Sequence, residues 1–272
     1  MTWLSDIPPP STRIASQTWP RVVTRLLLLL LTLCIGLLLH LVMRLVERVS
    51  RASGRPLTSA MTQAVCRVAL LILRLSRQVE GTPARTAAAV VANHSSWLDI
   101  LVLNSTMRVA FVSKADVASW PGIGFLSRIT GTVFIRRDRR EAAQHARVLQ
   151  ARLLDGDRLL FFPEGTSSDG LRVLPFKTTL FAALVAPDLR ATLSVQPVSV
   201  TYTPPEGFDP RALGWWGDMD FGGHFLAVLA MPRAGKVRLV FHPAIPVVEL
   251  PDRKALAMAC ESAVRAGFGP PV

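Results

Sequence analysis

Residues 90–100 read V-V-A-N-H-S-S-W-L-D-I. The alanine- and valine-rich run Ala87–Val91 has the character of a buried strand. Trp97, Leu98, Ile100, Leu101 and Leu103 behind it have the character of a helix. His94 therefore stands where a strand stops and a helix starts, rigid on one side and open on the other. Asn93, Ser95 and Ser96 are good capping types for that helix. Asp99 falls in its first turn, where the helix dipole favours a carboxylate. The H-x-x-x-x-D spacing lets the chain fold back, so that Asp99 accepts from one imidazole nitrogen while the other faces outward as a base. Taken alone, such a pair is more often a capping or core histidine, and the rest of the chain decides.

Outward from this stretch, short apolar runs alternate with helical ones from about Gly81. Strands are expected at Thr86–Ala92, Val109–Ser113, Thr132–Arg136, Arg158–Phe162, Leu193–Tyr202 and Val237–Phe241. Helices are expected at Trp97–Leu103, Gly122–Arg128, Arg139–Leu154, Thr178–Ala186, Gly223–Ala230 and Arg253–Ala266. The alternation implies an α/β domain over 80–272, with a mixed central sheet flanked by helices.

Ahead of it lies the apolar segment Leu26–Met43, interrupted only by Thr32, Gly36 and His40 and bounded by Arg21, Arg25, Arg44 and Arg48. As a helix it measures about 27 Å, just enough to cross a hydrocarbon core. Ala60–Leu75 reads as a second helix, whose Arg67, Arg74 and Arg77 suit a membrane interface. Residues 21–79 are thus expected to be membrane-anchoring helices, and residues 1–20 a disordered N-terminus.

Thirty-one Lys and Arg against nineteen Asp and Glu give a net charge of +12 on a chain that is half hydrophobic. Such a balance points to nucleic acid or to an anionic membrane surface. There is one tyrosine and no zinc-finger, basic-zipper or RNA-binding aromatic pattern. Membrane lipids are therefore the expected partner, and nucleic acid is not. Cys34, Cys66 and Cys260 lie far apart without C-x-x-C spacing, which argues against a disulfide framework or a metal knuckle.

Two further stretches carry chemistry. F-F-P-E-G-T-S-S-D-G, residues 161–170, follows an apolar strand that Pro163 ends. Gly165 lets backbone approach a ligand, Thr166 offers a hydroxyl and an amide, and Glu164 sets a carboxylate at the strand end. G-T-V-F-I-R-R-D-R-R, residues 131–140, crowds arginines behind a strand. Arg136 and Arg137, directly after V-F-I, are placed to hold a phosphate through paired donors, while the later charges read as solvated surface. Lys114 and Lys177 are two more cations at such ends.

N-H-S-S-W-L-D, G-T-V-F-I-R-R, F-P-E-G-T-S-S and V-Q-P-V-S-V come in the order of the four motif blocks of the glycerolipid acyltransferase family, and residues 80–245 resemble that family. It includes the lysophosphatidate acyltransferases. The resemblance implies transfer of a fatty acyl group from an acyl carrier protein or coenzyme A thioester to a lysolipid hydroxyl, with no metal or other cofactor. It implies His94 as general base and Asp99 as its orienter, Arg137 on acceptor phosphate, and Glu164, Gly165 and Thr166 in the acceptor loop. Gln196, Pro197 and Val198 match the largely structural fourth motif. Lys114, Pro121 and Lys177 also resemble the family pattern. The expected place is a bacterial-type inner membrane, with the catalytic domain facing the cytoplasm.

One departure is informative. Many lysophosphatidate enzymes read F-P-E-G-T-R-S, and here Ser167 stands at the arginine position. The variant resembles lyso-ornithine-lipid and some lysophospholipid acyltransferases, so an acceptor with a less charged head is expected. A serine hydrolase would need a G-x-S-x-G elbow, which is absent. A non-catalytic membrane scaffold would explain Leu26–Met43 but not H-x-x-x-x-D and F-P-E-G-T together.

Overall fold

Ala89–Ala92, strand β2, is buried at all of its residues, as a strand covered on both faces must be. Val90 and Ala92 enter one hydrophobic core, Ala89 and Val91 the other. The period of two thus divides the domain into two packed layers, one on each side of the sheet. The structure, a computed structural model, describes residues 2–50, 55–84, 89–136 and 142–269.

The other strands are β1 (Leu75–Glu80), β3 (Ala110–Lys114), β4 (Val133–Ile135), β5 (Leu159–Phe161), β6 (Ser194–Thr203), β7 (Gly235–Phe241) and β8 (Ile245–Pro246). They form a mixed sheet in the order β1-β7-β6-β2-β5-β3-β4, with β8 added to β6. Strands β6, β2, β5, β3 and β4 run parallel, while β7 and β8 are antiparallel to β6. Val91 pairs with Phe161, and Lys114 with Ile135. His94, Lys114, Arg136 and Glu164 therefore all leave the same carboxyl edge of the sheet, where open α/β sheets place their ligands.

The helices are α1 (Trp19–Val49), α2 (Pro56–Leu73), α3 (Leu98–Thr106), α4 (Ile123–Ile129), α5 (Ala142–Leu154), α6 (Pro187–Arg190), α7 (Phe221–Ala230) and α8 (Arg253–Gly267). Both α1 and α2 are long and apolar enough to cross a membrane. The polarity of α1 is inverted relative to a soluble helix. Its buried stripe carries Arg25, Gly36, His40 and Glu47, while Leu27, Leu31, Leu38, Leu41 and Leu45 point outward. Water would penalise such a face and hydrocarbon would not, which equips the pair for membrane association. The inward polar groups dock the helix. Arg25 donates to the carbonyls of Leu229, Met231 and Pro232 at 2.9, 2.6 and 3.0 Å, in the last turn of α7 and just beyond it. Glu47 caps α2 by accepting from the Leu57 and Thr58 amides at 2.7 and 2.9 Å. A Cβ on Gly36 would stand 2.4 Å from Val65 Cγ2, so the two helices cross closely only because that residue is glycine.

Two expectations are corrected. The second helix ends at Leu73, not Leu75, because Arg74 turns into the left-handed region with φ 55°. Leu75–Glu80 then pairs with β7 instead of belonging to the helices. Thr178–Ala186 is a 3-10 turn at Leu180–Ala183, after which Pro187 holds Ala186 extended and starts α6. The N-terminal residues, expected to be disordered, lie along the domain: Arg211 donates to the carbonyl of Pro8 at 3.2 Å, and Ile14 packs on a core.

Candidate active site

His94 leaves β2 and turns back on the first turn of α3. Its Nδ1 lies 2.7 Å from Asp99 Oδ2, and its ring stacks on Phe162 with centroids 4.1 Å apart. The same Oδ2 accepts from the Ser95 and Ser96 amides at 2.8 and 3.0 Å, and Oδ1 accepts from the Tyr202 hydroxyl at 2.7 Å. Every partner of this fully buried carboxylate is a donor. Nδ1 therefore carries the proton, and Nε2 presents a lone pair. Burial, and then the Asp99 charge, push the Tyr202 phenol well above its ordinary pKa, so it keeps the proton it donates.

The two motifs that lie 70 residues apart in sequence meet here. Glu164 Oε1 accepts from the His94 amide at 2.7 Å, and the Ser168 amide donates to the His94 carbonyl at 2.9 Å. The loop after β5 thus grips the His94 backbone on both sides. Glu164 Oε2 accepts from the Leu174 amide at 2.9 Å, so this carboxyl pins loops together as well as standing beside the base. Burial pushes its pKa up to about 8, against the opposing pull of the Leu174 and His94 amides. A carboxyl raised in this way takes up a proton on folding. Its stabilising contribution is complete below its ordinary value of 4.5 and is lost as pH rises to about 8. Thermal melts across that window should show wild-type stability falling with pH, with a shallower slope for Glu164→Gln. Equal slopes would show that Glu164 titrates as an ordinary surface carboxyl.

The remaining sequence candidates divide. Lys114 ends β3, and Arg136 follows β4 with its amide 3.3 Å from His145 Nε2. Both have further interactions within the fold. Arg137 lies outside the described residues. Lys177 enters the loop system through its amide, which donates to the Pro163 carbonyl at 2.9 Å. Gly165 has φ +72°, as a ligand-facing turn glycine would, but its amide closes the turn onto the Phe162 carbonyl at 3.0 Å and is engaged there. Thr166 Oγ1 accepts from the Trp3 amide at 3.3 Å, which brings the N-terminal segment onto the loop.

Asn93 does not cap α3. Its side chain donates to the Val200 carbonyl and accepts from the Val200 amide, both at 2.8 Å, and so extends the β2–β6 pairing by a rung. Gln196, of the fourth motif, ties Thr82, Ala84 and His242 together and is structural. His224 is a neutral packing histidine: Trp97 Nε1 donates to its Nδ1 at 3.0 Å, and burial lowers its pKa to about 4. Sequence reasoning missed Tyr202 and Phe162. For Tyr202 a signal existed: the protein's one phenol sits in a buried apolar strand and needs a partner there.

Comparison with known proteins shows the family and the fold. The family profile described as Acyltransferase matches residues 76–201. A lyso-ornithine lipid O-acyltransferase of Rhodobacter capsulatus is 56% identical over 215 residues, covering 79% of this chain and 78% of that protein. A 1-acyl-sn-glycerol-3-phosphate acyltransferase of Neisseria meningitidis is 32% identical over 178 residues, covering 65% and 68%. The crystal structure of the 1-acyl-sn-glycerophosphate (LPA) acyltransferase PlsC of Thermotoga maritima shares the fold, with a TM-score of 0.60 at 23% identity over 91% of this chain and 96% of that one. With the matched profile enclosing His94, Asp99 and Glu164, the chain belongs to the acyltransferase family.

Proposed function

We propose that this chain is a membrane-bound O-acyltransferase that moves a fatty acyl group from an acyl carrier protein or coenzyme A thioester to the hydroxyl of a lysolipid, and that lyso-ornithine lipid is its acceptor. The observation that carries the chemistry is the locked His94–Asp99 pair. His94 Nε2 removes the acceptor hydroxyl proton as the oxygen attacks the thioester carbonyl. The tetrahedral adduct then expels the thiolate, which takes that proton back from the imidazolium. A thioester is already activated, so one positioned base suffices, and orientation of two membrane-delivered substrates supplies much of the remainder. The negative charge on the thioester oxygen needs donors. The Gly165 amide is occupied, whereas those of Thr166 and Ser167 have no partner among the described residues, and we assign them this role. Arg136, Lys114 and Lys177 edge the acceptor side, and acceptor phosphate is assigned to Arg137 from the sequence motif alone. The catalytic domain faces the cytoplasm from a bacterial-type inner membrane, and no cofactor beyond the acyl donor takes part.

The acceptor reading rests on Ser167, which replaces a cation with a hydroxyl, and on the 56% identical relative. The more distant lysophosphatidate enzymes are the competing precedent. Purified protein should be offered lyso-ornithine lipid, lysophosphatidate and neutral lysolipids, each with both donor types. Highest kcat/KM is expected on lyso-ornithine lipid. Exclusive use of lysophosphatidate would overturn the acceptor assignment while leaving the acyl transfer intact.

A further inference from the structure

A small, open polar recess lies where the α1–α2 hairpin meets α3 and α4. Its lining includes His40, Arg55, Asn104 and Arg108. It is distinct from the site around His94. Arg108 stands two residues before Ala110, the first residue of β3, which is level with Leu159 and, across β5, with Ala89 at the start of β2. The recess therefore opens at the amino edge of the sheet, and His94 lies beyond the carboxyl edge.

Its lining carries two guanidiniums and no carboxylate. Asn104 is 6% exposed, lines the recess, and its side-chain amide has no hydrogen-bond partner among the described residues. Among the same residues the Arg55 and Arg108 guanidiniums have neither a hydrogen-bond acceptor nor an ion pair. The acids nearby are committed: Glu47 accepts from Leu57 and Thr58, and Asp157 pairs with Arg152. Burial, followed by the charges of Arg44 and Arg152, lowers the Arg55 pKa, so its cation is held at a cost that an anion would relieve. The hydroxyls of Ser59, Thr62 and Thr130 donate to backbone carbonyls, which leaves guanidinium and amide as the free donors. A forked guanidinium and an amide match a tetrahedral oxyanion and repel a cation. Beside the recess, Leu41, Leu45, Val46 and Val49 form an exposed apolar row on the last turns of α1.

We infer that this recess binds a phosphate group through Arg55, Arg108 and Asn104, supplied by a phospholipid headgroup whose chains lie on the α1 row or by the free ion. The site clamps the membrane hairpin to the catalytic domain. It does not depend on the chemistry proposed at His94.

The test is thermal unfolding of the full chain in detergent, titrated with inorganic phosphate against sodium chloride of equal ionic strength. A parallel series uses phosphatidylcholine vesicles with and without phosphatidylglycerol. A ligand that binds only the folded state raises the midpoint saturably, by a few degrees for a chain of this size. Arg108→Gln, at an exposed position, should melt like wild type in chloride and lose the response, as should Asn104→Leu. His94→Ala should keep it. A rise with inorganic phosphate identifies the free ion as a sufficient source, and a rise only with phosphatidylglycerol identifies the lipid headgroup. No rise with either source, or the same rise in Arg108→Gln, overturns the proposal.

Discussion

Replacing His94 with alanine should lower kcat by about 10²–10⁴-fold, the usual contribution of a positioned general base. No neighbour can stand in for it. Both Glu164 oxygens are held by backbone amides, Asp99 is fully buried behind the ring, and Tyr202 points its proton at Asp99. The variant should fold, because the clamps on residue 94 use its backbone amide and carbonyl and survive truncation of the ring. What it loses is the stack on Phe162 and one of the four donors to Asp99, whose carboxylate keeps the Ser95, Ser96 and Tyr202 hydrogen bonds. Membrane association should be unchanged, since the lipid-facing residues lie on α1. Single-turnover transfer in a reconstituted membrane, with the midpoint of thermal unfolding as control, measures both. A rate near that of wild type would refute the base assignment.

Asp99→Asn should lower kcat by about 10- to 10³-fold, the range over which a nearby opposite charge alters a base's strength. The geometry makes this a clean removal of charge. An asparagine oxygen at the Oδ2 position still accepts from Ser95, Ser96 and His94, and its NH₂ at the Oδ1 position can donate to a Tyr202 hydroxyl rotated to accept. The imidazole tautomer is therefore preserved, and only the carboxylate that would balance the imidazolium is gone. The loss should fall on kcat, with KM for the acceptor little changed. Asp99→Ala should instead leave four donors unpaired in the core and cost stability, about 1–3 kcal/mol for each group not rescued by water. A kcat near that of wild type in Asp99→Asn would show that the carboxylate holds the loop alone and does not assist the base.

The parts of the fold and site that could be read in the sequence are those written locally. Strand and helix periods set out the alternation after Gly81, and the five-residue step from His94 to Asp99 places acceptor and base within one turn. Strand β1 escaped because the helix before it ends on a left-handed arginine, with no glycine or proline to mark the stop. Asn93 was read as a cap because its residue type favours caps, and its partner Val200 is 107 positions away. Tyr202 is 103 positions from Asp99, so no window of sequence holds both. The occupied Gly165 amide shows the same limit from the other side: glycine announces a turn, but not which carbonyl the turn will consume.

The grip of the β5 loop on His94 has a kinetic consequence. The contacts that fix the local His94–Asp99 pair in the fold are long in sequence: 70 residues to Glu164, 107 from Asn93 to Val200, 103 from Tyr202 to Asp99. Closing such loops is slow, because the chain loses its freedom before the contacts reward it. The base therefore matures only when β2, β5 and β6 have found one another, and no collapsed intermediate short of that sheet can turn over substrate. During refolding, catalytic competence should appear no earlier than the pairing of β2, β5 and β6.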